Sequence, residues 1–441
     1  MKHVVFVDST VSGLLAFEAA KRLGCHVTFI HQRDASFLTI SIKDDTSRLE
    51  PYLRYVDTYL RIDNLEDGEL SQLLANLHAE RPIDALISTS EAAIVPVARE
   101  AQRIGTLYPR YEALCGAVYK SRLRETLRAH GLRSPDFEVL SEEQLINGVV
   151  PSLSLPFVVK PTRGFAKQFS AICHSQADFD AFLAELRQSR KGADPMIDHL
   201  VSRDYLVEQY IDGTLHSAEV IVQDAKVSCF ATTIRFRADY SEILEMTATM
   251  PSGLDAAQRD EIKAYVQAVF SALGLDVGLY HVELLRDAKG PCLVEINARM
   301  MGSVAPQMYR MLTGIDPFEL LVRLHLGEPI LIDDSVLQRA GSVVTVASRN
   351  GGHIANDYAP DSLQPLLDKY NIRFCTAHVA PGQAVNVYSG NIGTIGHVIV
   401  EDDCPYAAAK KGNHFLRELS SLYGLELATY NSEGRFEDRS G

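Results

Sequence analysis

The 441-residue chain has no C-x-x-C pair, no G-x-G-x-x-G turn, no internal repeat and no low-complexity linker. Its longest apolar stretches fall well short of the ~18 residues that would read as a membrane helix. Each absence removes a class. The seven cysteines (25, 115, 173, 229, 292, 375 and 404) are scattered and odd in number, which excludes zinc-ribbon and thioredoxin readings and points to reduced cytosolic thiols. The short apolar run Val4 to Val7 ends at Asp8, too short for the core of a signal peptide, so a soluble, cytoplasmic protein is expected. Positive charge is also scarce. Lys plus Arg number 43 against 57 Asp plus Glu, a net charge of −14. Such a chain repels a phosphate backbone and lacks a basic stripe, so neither a nucleic-acid nor a membrane partner is expected.

The remaining composition, 46% hydrophobic and 23% charged, is that of a globular protein. At roughly 100–200 residues per domain the length predicts two to four domains. His3 to Asp8 reads as a buried parallel strand, Leu14 to Leu23 as a helix stopped by Gly24, and His26 to Ile30 as a second strand. Asp84 to Ser88 is a further strand, and Thr89-Ser90-Glu91 falls just past its C-terminal end, where open α/β sheets place ligands. Glu91 reads equally well as a carboxylate at a helix N-terminus. The texture changes at about residue 155, and after Pro329 the chain reads as strand-rich with Gly-containing turns. Predicted strands cover 155–161, 171–173, 205–213, 217–222, 227–236, 278–285 and 292–297; predicted helices cover 119–130, 178–190, 260–273, 316–326 and 407–423. The tail from Asn431 is expected to fray.

Glu283 shares a strand face with His281, and Glu295 shares one with Asn297. Paired as an antiparallel hairpin, the two strands would gather two carboxylates and an amide oxygen, a donor set suited to Mg²⁺. An ordinary ion-paired strand face is the competing reading. Arg299 continues the same alternation and could clamp a phosphoryl group. Lys160 ends a hydrophobic strand and Lys120 opens the helix before it. Segment 118–170 carries eight Lys/Arg against five Asp/Glu inside an acidic chain. The arginines of the 120–128 helix read as a solvated face.

In order, Lys120, Val158-Val159-Lys160-Pro161, Glu208-Gln-Tyr-Ile-x-Gly213, Glu283 and Glu295-x-Asn297-x-Arg299 resemble the ATP-grasp superfamily over roughly residues 80–330. The chain looks most like its carboxylate–amine ligases, including the L-amino-acid (dipeptide) ligases. Gly278-x-x-His281-x-Glu283, Met300-Met301-Gly302 and the 390–398 run support that subgroup. The resemblance implies an α/β and α+β protein: an N-terminal open α/β domain over 1–116, an ATP-grasp domain over 117–330 with a lid at about 135–205, and a C-terminal strand-rich domain over 331–441.

It further implies that Lys120 and Lys160 contact ATP phosphates and that Glu208, Gln209, Tyr210 and Ile211 form the adenine hinge, Glu208 near the exocyclic amine. His216 would lie toward the ribose. Glu283, Glu295 and Asn297 would hold two Mg²⁺ ions, with Mn²⁺ as a substitute. Arg299 would stabilise the acyl phosphate, and Glu91, Glu245 and Ser303 would line the pocket for small carboxylate and amine substrates. A homodimer is a family-level expectation. Three departures stand out: only Gly164 in the phosphate loop, with Arg163 and Lys167 as compensating cations; Leu215 in place of a ribose-binding glutamate; and Thr247-Ala248-Thr249 in place of a pocket histidine. Rival readings are a carboxylase or purine-pathway ligase, a ligase loading an amino acid onto a carrier amine, and a non-catalytic nucleotide-binding scaffold. A biotin-dependent enzyme would need a carrier lysine hairpin, and none is present.

Overall fold

A computed structural model describes residues 1–33, 36–42, 45–65, 68–164, 168–189, 201–390 and 393–432. Lys167, part of the 390–398 run and most of the polar tail lie outside the described residues. The chain begins as a parallel sheet in the spatial order Thr58–Ile62, His26–Gln32, His3–Val7, Ala85–Ile87. The strand His3–Val7 is buried along its whole length, which explains its unbroken apolar sequence. From it the chain runs outward through His26–Gln32 to Thr58–Ile62 and then crosses to Ala85–Ile87 on its other side, so the crevice at the C-terminal ends of His3–Val7 and Ala85–Ile87 is a topological switch point. Thr10, Ser12, Thr89 and Glu91 lie there.

An antiparallel sheet of Phe137–Ser141, Asp204–Gln209, Phe157–Pro161 and Ala171–Cys173 occupies the segment expected to act as a lid, and the helix Gln176–Ser189 backs it. The largest sheet has eight strands: Gly290–Asn297, Gly278–Asp287, Thr214–Gln223, Lys226–Arg235, Thr247–Met250, Ala340–Ala347, Thr394–Asp402 and Phe374–Cys375, in that spatial order. Thr247–Met250 pairs with Ala340–Ala347, so this sheet runs unbroken across the position of the 330/331 boundary. The helix Ala256–Leu273 covers one face of it. Asp255 and Gln258 cap that helix reciprocally, which starts it a turn before the predicted Asp260, and Gly274 at φ +69° ends it. Helices that escaped prediction include Glu69–Glu80, Tyr111–Val118, Ala305–Thr313 and Leu363–Lys369. All seven cysteines are unpaired and five are buried. Among the described residues, no helix is long and apolar enough to cross a membrane.

Candidate active site

A cavity of about 560 Å³ lies between the lid, the large sheet and the N-terminal crevice. Its lining includes Val158, Ala171 and Ile172 from the lid and Leu215, Leu285 and Leu293 from the large sheet, an apolar slot of the kind that takes a flat ring. Thirteen of the fourteen predicted site residues line it: Glu91, Lys120, Lys160, Glu208, Gln209, Tyr210, Ile211, Glu245, Glu283, Glu295, Asn297, Arg299 and Ser303.

His216 does not. Its ring is buried in the sheet, with one nitrogen 2.9 Å from Thr214 Oγ1 and the other 3.2 Å from the Thr233 carbonyl. Burial pushes the imidazole down to about 4, so it is a neutral core histidine with no nitrogen left for a ribose. The expectation failed because strand alternation puts His216 on the face opposite its neighbour Leu215, which does line the cavity.

The hairpin forms as predicted. Gly278–Asp287 pairs antiparallel with Gly290–Asn297, placing Glu283 opposite Glu295 and His281 opposite Asn297. Asn297 donates its amide N–H to Glu295 Oε1 at 3.2 Å, leaving its carbonyl oxygen for another partner. Lys120 Nζ lies 3.0 Å from Glu295 Oε2. Burial pulls Lys120 down, but Glu295, with Glu91 and Glu208, outweighs it and raises the ammonium above its ordinary value. Burial would lift the Glu295 carboxyl, yet Lys120 and Lys160 hold it at about 2. The oxygen donors suit a hard cation, which would compete with Lys120 for Glu295 and free that lysine toward a phosphate. Among the described residues no cluster of three His, Cys, Asp or Glu side chains could hold a metal, so an ion here would rely on the Asn297 amide, water and substrate oxygens.

Glu208 differs from expectation. Arg124 Nε reaches its Oε1 at 2.5 Å and Lys160 Nζ its Oε2 at 2.6 Å, so both oxygens face cations rather than an adenine amine. Arg124, read from the sequence as part of a solvated face, is almost wholly buried. It stands four residues after Lys120 on the helix Lys120–Ala129, on the same side, and that spacing was the available signal. Lys160 is lowered by burial, and Glu208 only partly offsets this because it is shared with Arg124 and because Lys120 is near. In the segment expected to be the hinge, the Gln209 and Tyr210 N–H groups donate to the carbonyls of Asp136 and Pro156.

The strand ends at Asn297, so Arg299 does not continue its face; it sits in a bend and donates through Nε to Glu91 Oε1 at 2.8 Å, with Nη2 on the same oxygen. Glu91 is therefore an ion-pair partner across the crevice. Arg235, absent from the sequence reading, is the other major charge. It pairs with Glu245, approaches Glu283 at 3.8 Å and sits 2.9 Å from His281 Nε2. Burial opposes charge on His281, but Glu219 at 2.7 Å and Glu283 raise it to about 9. Arg235 can only donate, so His281 Nε2 accepts from it while Nδ1–H donates to Glu219, an arrangement that fixes the tautomer of the neutral ring against the raising effect of the carboxylates. An arginine on an otherwise buried strand was the sequence signal for Arg235.

Gly13 closes the N-terminal side. A Cβ there would overlap the Thr89 hydroxyl and lie 2.6 Å from Ser9 Oγ, whose own hydrogen bond to Thr89 is 2.9 Å. Gly13→Ala is expected to pry the crevice apart and cost about 1–3 kcal/mol by overpacking, read as a lower denaturant midpoint.

The family model for the ATP-grasp domain matches residues 153–307, and that for the ATP-grasp N-terminal domain matches residues 17–106. This is an ATP-grasp protein. Among its relatives is carnosine synthase 1 of Gallus gallus, 26% identical over 355 residues, covering 77% of this chain but 37% of the relative. The formate-dependent phosphoribosylglycinamide formyltransferase of a Synechococcus strain is 22% identical, covering 93% of this chain and 97% of that protein. The crystal structure of the L-amino acid ligase from Bacillus licheniformis shares the fold with a TM-score of 0.73 at 20% identity, covering 98% and 99% of the two chains.

Proposed function

We propose that the protein is an ATP-dependent carboxylate–amine ligase, releasing ADP and phosphate and forming an amide or dipeptide bond. The observation that carries this reading is the convergence on one cavity of a lysine pair, an antiparallel Glu/Glu/Asn face and a clamped arginine. The adenine ring lies in the slot between Ile172 and Leu293 and is read by the Ile211 backbone. Lys160, fixed by Glu208, and Lys120 hold phosphate oxygens as point charges. Glu283, Glu295 and Asn297 would hold Mg²⁺, as two ions, which would supply screening of phosphate charge when bound. A substrate carboxylate attacks the γ-phosphate, giving an acyl phosphate; an amine then attacks the acyl carbon and phosphate leaves. Arg299 offsets the charge on the acyl oxygens, and Glu91, Glu245 and Ser303 line the pocket for the two substrates. The lid excludes water that would hydrolyse the acyl phosphate. The segments 1–116, 117–330 and 331–441 serve as crevice wall, nucleotide clamp and end wall.

An ADP-release screen of acids, formate included, against amines, with product mass as readout, tests this. ADP release that depends on both an acid and an amine supports it, and ADP release with no amide product refutes it. Glu283→Gln and Glu295→Gln are each expected to raise the Mg²⁺ concentration for half-maximal activity by at least about 10–100-fold, the effect typical of disturbing even the support around a metal site.

A further inference from the structure

Three segments distant in sequence meet beside the cavity. Tyr210, in the hinge, donates its hydroxyl to Glu242 Oε2 at 2.9 Å. His174, directly after the lid strand Ala171–Cys173, places Nε2 3.1 Å from Glu242 Oε1. The two rings pack edge to face with centroids 5.1 Å apart. Glu242 belongs to the connection between the strands Lys226–Arg235 and Thr247–Met250 of the large sheet, so one carboxylate ties the lid and the hinge to the body of the protein. Glu245, three residues later in that connection, holds Arg235. Tyr210, Glu242 and Glu245 all line the cavity.

We propose that Glu242 is a positioning residue that pins the lid through His174 and the hinge through Tyr210, and so keeps the nucleotide slot closed while the acyl phosphate exists. The closure role rests on the ligase reading; the nucleotide-binding role does not. Each carboxylate oxygen serves a different element, so Glu242 acts as a two-armed strap and neither arm alone fixes both parts. Loss of hydrogen bonds to a charged group typically changes an equilibrium by about tenfold or more.

The test uses the full chain. Glu242→Ala is expected to weaken binding of a non-hydrolysable ATP analogue by about tenfold, to raise KM for ATP more than it lowers kcat, and to increase the phosphate released per amide formed. Glu242→Gln keeps one acceptor oxygen for the Tyr210 hydroxyl and presents an N–H that the other His174 tautomer can accept at Nε2, and is expected to restore most of the affinity. His174→Ala and Tyr210→Phe are each expected to show part of the loss and to add nothing further on the Glu242→Ala background. Unchanged analogue affinity in Glu242→Ala, or fully additive double mutants, would overturn the proposal. If Glu242→Ala folds poorly, Tyr210→Phe, which removes one hydroxyl, carries the same measurement. If no acid–amine pair turns over, the ligase reading fails, while the analogue affinities still decide the strap.

Discussion

Arg299→Ala is expected to lower amide formation by roughly 10²–10³ while leaving nucleotide affinity within about threefold of wild type, because removing one stabiliser of developing oxyanion charge typically has that effect. The guanidinium stands just past the Glu295–Asn297 strand end and is held by Glu91 through Nε. A fixed fork reaches its target without reorganising, which is where such stabilisation originates. The alanine variant loses the fork and also leaves the Glu91 carboxylate uncompensated beside an anionic substrate. Two further variants separate these effects. Arg299→Lys keeps the charge without the bidentate geometry and is expected to recover only part of the rate. Glu91→Gln on the Arg299→Ala background removes the stray carboxylate and is expected to lower KM for the acid without restoring kcat. Product mass and ADP release, measured beside calorimetry of an ATP analogue, check all three. Equal product yield from Arg299→Ala and wild type would rule out the role.

Most of what was legible in the sequence was local. Alternation along two strands placed Glu283, Glu295 and Asn297 on one face, and the hairpin then set them opposite one another. The fold class followed from the order of motifs and holds in the family match. What escaped depended on pairing across large separations. Arg124 and Glu208 are 84 residues apart, Arg299 and Glu91 are 208 apart, and no periodicity links them. The same cause explains the error at His216: alternation fixes that adjacent residues face opposite sides, but not which side is the cavity. The strand-rich reading of the C-terminal segment missed the helix Leu363–Lys369, which is short, and missed that its first strand joins the preceding sheet. Sheet partners are chosen by tertiary packing, to which a single strand's sequence is blind.

Glu208→Gln is expected to destabilise the protein by about 3–5 kcal/mol, the usual cost of removing one member of a buried charge cluster. The Arg124 side chain is 1% exposed and that of Glu208 is 5% exposed, so water cannot take over the solvation. The carboxylate joins two cations, and its loss leaves Arg124 and Lys160 facing each other across a neutral amide. The effect has a pH signature. Burial acts to raise the Glu208 carboxyl, but Arg124 and Lys160 outweigh it and hold it at about 2 against an ordinary 4.5. A carboxyl depressed by folding contributes stability that is complete above its unfolded value and disappears as pH falls through its folded value. Wild type should therefore lose stability between about pH 4.5 and pH 2, and Glu208→Gln should have a flatter acid limb over that window. Glu295, also held at about 2, keeps some slope in both proteins. Adding Arg124→Leu to Glu208→Gln removes one stranded cation and is expected to return part of the lost stability, whereas an unpaired surface charge would show no such rescue. Urea midpoints at pH 7 and across the acid range measure this. Acid limbs of equal slope in the variant and wild type would mean that the carboxylate does not hold the two cations in place, and Lys160 would then need another explanation for its position.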